Sequence, residues 1–253
     1  MSLAFNDFPS PQDFVDGEML LLDKPLEWTS FQAVNYVRWR LKKYTGLKKI
    51  KVGHAGTLDP LASGLLIICT GKKTKEIAQF MGLDKVYTGT IQLGATRPSA
   101  DLETDIDATW PTDHLSASMV LEAMGQLTGE IEQIPPVYSA LKVEGKRLYE
   151  HARKGSVDAV EIKARPVNIH RFALLRYEEE QAAVHFEVQC SKGTYIRSLA
   201  RDLGSLLQNG AHLTALRRTA IGPWKVTDAT VPSAWGNRWQ EAQEAFNRDR
   251  ISE

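Results

Sequence analysis

Cysteine is scarce in this chain: among 253 residues only Cys69 and Cys190 carry thiols. Both sit inside apolar stretches, and no Cys-x-x-Cys or Cys/His grouping accompanies them. That spacing speaks against a structural zinc site. Two buried free thiols in a reducing compartment are expected instead. No apolar run approaches the ~20 residues needed to span a bilayer. The opening MSLAFNDFPS lacks the basic and apolar regions of a signal peptide, so a cytoplasmic protein is expected. Net charge is also lacking: 31 Lys and Arg balance 31 Asp and Glu. This argues against polyanion binding driven by overall charge and leaves local patches open. No internal repeat, low-complexity segment or Gly/Ser linker appears. What is present, an apolar fraction of 43% over 253 residues, is enough for one large domain or two small ones.

The patterning is mixed. EMLLLDKP (18–25) reads as an opening strand stopped by Pro25. Residues 29–44 read as an amphipathic helix capped by Thr29 or Ser30, with Phe31, Val34, Val37 and Leu41 on its apolar face. Residues 64–71 form a buried strand and 72–81 a short helix. In 85–94, Tyr87, Gly89, Ile91 and Leu93 share one strand face. The polar, acidic stretch 97–114 reads as a surface loop, followed by a helix near Ser116–Leu127. Residues 134–155 combine Pro-Pro, a short strand and a short basic helix, and strands follow at 160–175 and 183–190. A helix over 193–210 carries Ile196, Leu199, Ala200, Leu203 and Leu207 on one stripe, with Gly210 past its end. A strand over 211–224 and a closing helix complete the chain. Hairpin-like strands with intervening helices imply an α+β fold, not an alternating barrel.

Individual residues with chemical potential have plain alternatives. Asp59 in GTLDP is, by spacing alone, better read as an Asp-Pro turn. His54 has no third ligand at regular spacing, so a hydrogen-bonding or stacking role fits better than a metal. Arg197 borders the apolar stripe of its helix, where an arginine needs an acid or an anion. Tyr87 fits a strand core, Tyr195 either a core or a ring presented to a ligand, Lys24-Pro25 a strand end, and Leu216-Arg217-Arg218 an edge-strand charge device. Between Glu27 and Asp59 there is no acid and seven Lys or Arg, which suits either a helix C-terminus or an anion-facing patch.

The order of the segments LLLDKP, GHAGTLDPLASGLLIICTGKKTK, KVYTGTIQLG, IPPVYSALKVEGKRLYEHAR, CSKGTYIRSLARDLG and GAHLTALRRTAIG changes the weighing. Over residues 18–222 the chain resembles the TruB-type tRNA pseudouridine synthases. That resemblance implies the pseudouridine synthase fold: a mixed, mostly antiparallel central sheet flanked by helices, with a central active-site cleft. It implies that Asp59 is the catalytic aspartate and Arg197 its paired arginine. Tyr87 would stack on the target base, and Tyr195 and Leu216 would line the uracil pocket. His54 would serve base flipping and RNA binding, and Lys24 and Pro25 would support the active-site loop. The partner implied is the T-arm stem-loop of tRNA, with the uridine at position 55 isomerised by a monomer that needs no cofactor and no metal.

The chemistry agrees with the composition. Moving a uracil from N1 to C5 attachment needs no redox or nucleotide cofactor, and the chain shows neither a Rossmann fingerprint nor a P-loop. It needs an ionised carboxylate as nucleophile or base. An arginine fork keeps such a group charged and oriented. A flipped base needs an aromatic face and an apolar floor. Basic segments 38–51, 72–75, 146–154 and 217–218 would meet RNA phosphates, with the acids of 101–107 and 178–180 turned away. Residues 1–17 read as an N-terminal extension, 18–222 as the catalytic domain and 223–253 as a tail packed on it. The 31 residues after Gly222 are too few for the PUA domain that many relatives carry. A guide-RNA-dependent, dyskerin-like enzyme and a non-catalytic RNA-binding module are the competing readings.

Overall fold

The computed structural model describes residues 8–139, 142–143, 146–148 and 162–251. In chain order the elements begin with α1 (Pro11–Asp16), β1 (Met19–Lys24), α2 (Ser30–Thr45), β2 (Val52–His54) and β3 (Ala62–Thr70). A 3-10 turn leads into α3 (Ile77–Gly82), then β4 (Lys85–Leu93), β5 (Ala95–Thr96), β6 (Ala108–Thr109) and α4 (Ala117–Gln126). Next come β7 (Gly129–Gln133), β8 (Lys142–Val143), β9 (Lys146–Arg147), β10 (Arg165–Glu178) and β11 (Ala183–Cys190). The chain ends with α5 (Ile196–Leu206), β12 (Ala211–Ile221), β13 (Trp224–Lys225) and α6 (Pro232–Ile251). The fold is α+β, with a mixed, mostly antiparallel sheet flanked by helices, and the pairs β1–β3, β2–β3, β4–β11, β10–β11, β7–β10 and β12–β13 are antiparallel. It divides into two compact units, Met1–Leu83 with Arg217–Glu253, and Asp84–Leu216.

The first unit is organised by β3. Its apolar run has period-two geometry, so alternate side chains leave on opposite faces. Leu66 and Ile68 enter a core with Phe14, Leu22, Val34, Val37, Leu41, Trp235 and Trp239. Leu65, Ile67 and Cys69 enter another with Ala55, Phe80 and Ile221. A strand buried on both faces accounts for the unbroken hydrophobic stretch. β1 lies antiparallel to β3 from Met19↔Cys69 to Lys24↔Gly64, and β2 pairs with residues 68–70 of β3. The outer edge of β1 is covered by Thr230, which exchanges backbone bonds with Leu21 and Asp23.

Helix α2 starts at a capping box of Thr29 and Gln32 and ends at Gly46 in the left-handed region. Phe31, expected on its buried face, is 64% exposed. The buried stripe is Ser30, Ala33, Val34, Val37, Leu41 and Tyr44. At 100° per residue Phe31 falls about 110° from the centre of that stripe. The closing helix α6 brings Trp235 and Trp239 against Phe8, and Trp239 also meets Phe14 and Tyr44.

In the second unit the strands run β4-β11-β10-β7, with the first part of β12 beside β4. Val188 pairs with Tyr87 and Phe186 with Gly89. A Cβ on Gly89 would lie 2.4 Å from the Ala215 carbonyl, so only glycine allows β12 to approach that closely. The alternation expected in β11 holds, with Val184, Phe186, Val188 and Cys190 all buried. Burial pushes both cysteine thiols up to about 11. Two expectations need correction. The stretch 97–114 is not all surface loop: Ser99, Ala100 and Asp101 are buried and β6 forms within it. The turn after α5 is taken in the left-handed region by Gln208, not by Gly210. The short basic helix expected toward residue 155 lies largely outside the described residues.

Trp239 is central to the aromatic cluster, so Trp239→Ala is expected to cost about 3–5 kcal/mol of unfolding free energy. Urea denaturation followed by circular dichroism measures it.

Candidate active site

In the first unit the connection between β2 and β3 carries the half-buried Asp59. Its backbone is held from several directions. The Ser30 hydroxyl accepts from the Leu58 amide (2.8 Å) and donates to the Leu58 carbonyl (3.1 Å). The Glu27 amide donates to the Pro60 carbonyl (2.8 Å), and the Ala62 amide to that of Asp59 (3.1 Å). From β12 comes Arg218, 1% exposed. Its guanidinium donates to the carbonyls of Leu65 (2.8 Å), Gly56 (3.2 Å) and Thr57 (3.4 Å).

Two further sequence candidates belong to this unit. Lys24 is fully buried, and its Nζ donates to the carbonyls of Pro25 (2.8 Å) and Trp28 (2.6 Å). It therefore braces the segment that leads into α2 and offers no surface for a direct RNA contact. Its ammonium is lowered to about 8, chiefly by burial and further by Arg218, while Asp59 works in the opposite direction. His54 ends β2. Burial first and Arg218 second push its imidazole below the ordinary value, and the Gly56 backbone opposes them.

These placements correct the reading of 217–218 as an edge device and of Arg218 as a phosphate contact. Arg218 is interior, and Arg217 forms a two-pronged ion pair with Asp23 at 3.0 and 2.6 Å. Beside that pair lies a cavity of about 370 Å³ walled by Pro25, Trp28 and Pro232, which does not include Asp59. Lys72 and Lys73 are likewise engaged, with Asp16 and Glu76.

The second unit holds the other candidates. Tyr195 immediately precedes α5, and its backbone is gripped by the buried Gln133 amide. Gln133 accepts from the Tyr195 N–H (2.8 Å) and donates to its carbonyl (3.1 Å). Arg197, in the first turn of α5, is buried and donates to the carbonyls of Tyr138 (2.7 Å) and Ser99 (3.2 Å). The Asp101 carboxylate stands 3.6 Å from its Nε. Asp101, which the sequence places among the acids of 101–107, is a buried neighbour of the arginine. Tyr87 is buried on β4, and Leu216 is half-buried on the adjoining β12.

The first unit thus gathers Lys24, His54 and Asp59, and the second gathers Tyr195 with Arg197 and Tyr87 with the strand of Leu216. Sequence reasoning missed Gln133 and Asp101 and gave Ser30 only a capping role. A Ser30 hydroxyl bonded 28 residues away leaves no local signal. Among the described residues no group of three His, Cys, Asp or Glu is placed to hold a metal. Also among them, no helix is long and apolar enough to cross a membrane.

The depressed Lys24 value carries a sign. A base with a folded value near 8 against an ordinary 10.5 binds fewer protons when folded, so stability rises across that interval as pH increases. Lys24→Met is expected to flatten this rise in a pH series of denaturation midpoints.

Residues 42–196 match the TruB family pseudouridylate synthase N-terminal domain. Residues 197–235 match the tRNA pseudouridylate synthase B C-terminal domain. The chain is 53% identical over 221 residues to tRNA pseudouridine synthase B of Flavobacterium johnsoniae, covering 87% of this chain and 95% of that one. It is 52% identical over 232 residues to the same-named protein of Phocaeicola vulgatus, covering 92% and 97%. Among solved structures, a chain of a Cbf5-Nop10-Gar1 complex superposes with a TM-score of 0.67 at 25% identity, covering 94% of this chain and 62% of that chain. A chain of the archaeal box H/ACA Nop10-Cbf5 complex gives 0.65 at 22% identity, covering 95% and 62%. The present chain therefore spans less than two thirds of those two structures.

Proposed function

This chain belongs to the TruB family of pseudouridylate synthases, and on that footing we propose that it isomerises a uridine of tRNA to pseudouridine. The site carries the substrate's own uracil from one attachment to the other: the C1′–N1 bond breaks and a C1′–C5 bond forms, C5 gives up its proton and the freed N1 takes one up. Asp59 supplies the carboxylate. Arg197 is its charge partner. Tyr87 stacks on the flipped base, and Tyr195 and Leu216 close the uracil pocket. His54 serves the flipped-out nucleotide. Lys24 and Pro25 act on the loop from below, in keeping with the burial of the lysine. The uridine is the T-loop residue at position 55, the ligand is the T-arm, and the enzyme works as a cytoplasmic monomer. Residues 18–222 are its catalytic domain and 223–253 the tail packed on it.

The observation that carries this reading is the Asp59 loop. A half-buried carboxylate sits on a segment whose backbone is bonded at Gly56, Thr57, Leu58 and Pro60. A turn aspartate needs no such restraint, whereas a nucleophile does, because angstrom-scale misplacement costs about 10²-fold in rate. Asp59→Asn is expected to abolish pseudouridine formation on an unmodified tRNA transcript while leaving tRNA affinity unchanged. Carbodiimide-stop primer extension reads the first and filter binding the second. Turnover in the variant would refute the role of Asp59.

RNA phosphates are met by the cationic run from Lys42 to Lys51. Lys42, Lys48, Lys49 and Lys51 are exposed, and the sequence holds no acid between Glu27 and Asp59. Arg38 is set apart, since it bonds Asn35 and the Val52 carbonyl. Replacing Lys48 and Lys49 together by alanine is expected to weaken tRNA binding. The log Kd against log salt plot should become shallower by about 1–2.

A further inference from the structure

We propose that Arg218 and Ser30 are positioning residues for the reaction, a two-point clamp on the backbone that leads into Asp59. The proposal rests on the isomerase reading above and adds what aims its carboxylate.

The geometry is specific to these side chains. A guanidinium offers donors in a rigid planar fork, and Arg218 spreads them over three carbonyls. Two belong to the loop, at Gly56 and Thr57. The third belongs to Leu65 in β3, the most buried strand of the unit. Arg218 thereby references the loop to a strand that cannot shift. Ser30 does the same from the helix side. One hydroxyl takes the Leu58 N–H and gives to the Leu58 carbonyl, so residue 58 is fixed against the first turn of α2.

The glycines around Asp59 fit this purpose. Gly64 has φ +107, and a Cβ there would lie 2.3 Å from the Arg218 carbonyl oxygen. Only glycine lets the backbone of β12 close on β3 and deliver the guanidinium. Gly56 has φ +103, which turns its carbonyl into reach of the fork. The spacing of glycines flanking the Leu-Asp-Pro triplet is therefore the imprint of an arginine that lies 159 residues beyond Asp59 in the chain.

A cation buried without being aimed at solvent also leaves an electrical mark. The Arg218 charge is among the causes that lower both His54 and Lys24. This separates two properties of the side chain. Lysine keeps the charge and loses the fork, while methionine loses both.

The test compares wild type, Arg218→Lys, Arg218→Met and Ser30→Ala. Single-turnover rates and tRNA dissociation constants are measured on one transcript. The His54 C2 proton, assigned with His54→Gln, is titrated by NMR. Both Arg218 variants are expected to lose about 10²-fold in single-turnover rate with tRNA affinity unchanged. The His54 titration should move up in Arg218→Met and stay in place in Arg218→Lys. Ser30→Ala should lose about tenfold in rate at the same affinity, as a weaker restraint of the same loop. If Arg218→Met fails to fold, Arg218→Lys and Ser30→Ala decide the matter. A folded Arg218→Lys or Ser30→Ala turning over at the wild-type rate overturns the clamp, as does a loss confined to affinity. A wild-type chain that binds tRNA and never forms pseudouridine overturns the isomerase reading itself, and the clamp with it.

Discussion

The interaction on which the first unit depends is a buried guanidinium bonded only to backbone carbonyls among its described contacts. Arg218 reaches into the interior and meets the carbonyls of Gly56, Thr57 and Leu65. Burying a charge costs several kcal/mol unless its donors are satisfied. A chain that accepts such a cost constrains everything nearby. β12 must lie against β3, Gly64 must be glycine, and the Asp59 loop must present its carbonyls inward. With its carbonyls held inward, that loop has little freedom, and this restraint lets the geometry bear on function.

The second unit uses the same device with different partners. The buried Gln133 amide takes both the N–H and the carbonyl of Tyr195. Arg197 is anchored by the carbonyls of Ser99 and Tyr138, with Asp101 beside it. In both units a half-buried candidate side chain, Asp59 in one and Tyr195 in the other, sits on a backbone fixed by a buried polar one. Rigid support under a reactive group is what catalysis by positioning requires. Gln133 and Ser30 are buried and bond backbone far away in the chain, which is why neither resembles an active-site residue in the sequence.

Much of the fold was legible beforehand. The apolar run Leu65–Cys69, the alternation Val184 to Cys190 and the cap at Thr29 announce β3, β11 and α2 because each depends on neighbours within a few residues. Failures occurred where a distant contact decided the outcome. Asp101 looks like one more acid in a polar loop until Arg197 comes to meet it. Arg218 looks like edge charge until β12 is seen to be interior. Phe31 looks buried until the stripe of α2 is centred by the whole helix. The candidate site was legible as a set of segments in order and as residue types. Its supports were not.

The sequence by itself determined the periodicity of the elements, the burial of both thiols and the family, because these follow from local patterns and from ordered motifs. Only the tertiary structure decided which charges are interior. Lys24 and Arg218 end buried while Lys48 and Lys49 stay in water, though all four are basic residues. The physical reason is that a buried cation survives only where carbonyls from separate segments converge on it, and such convergence is a property of the folded backbone.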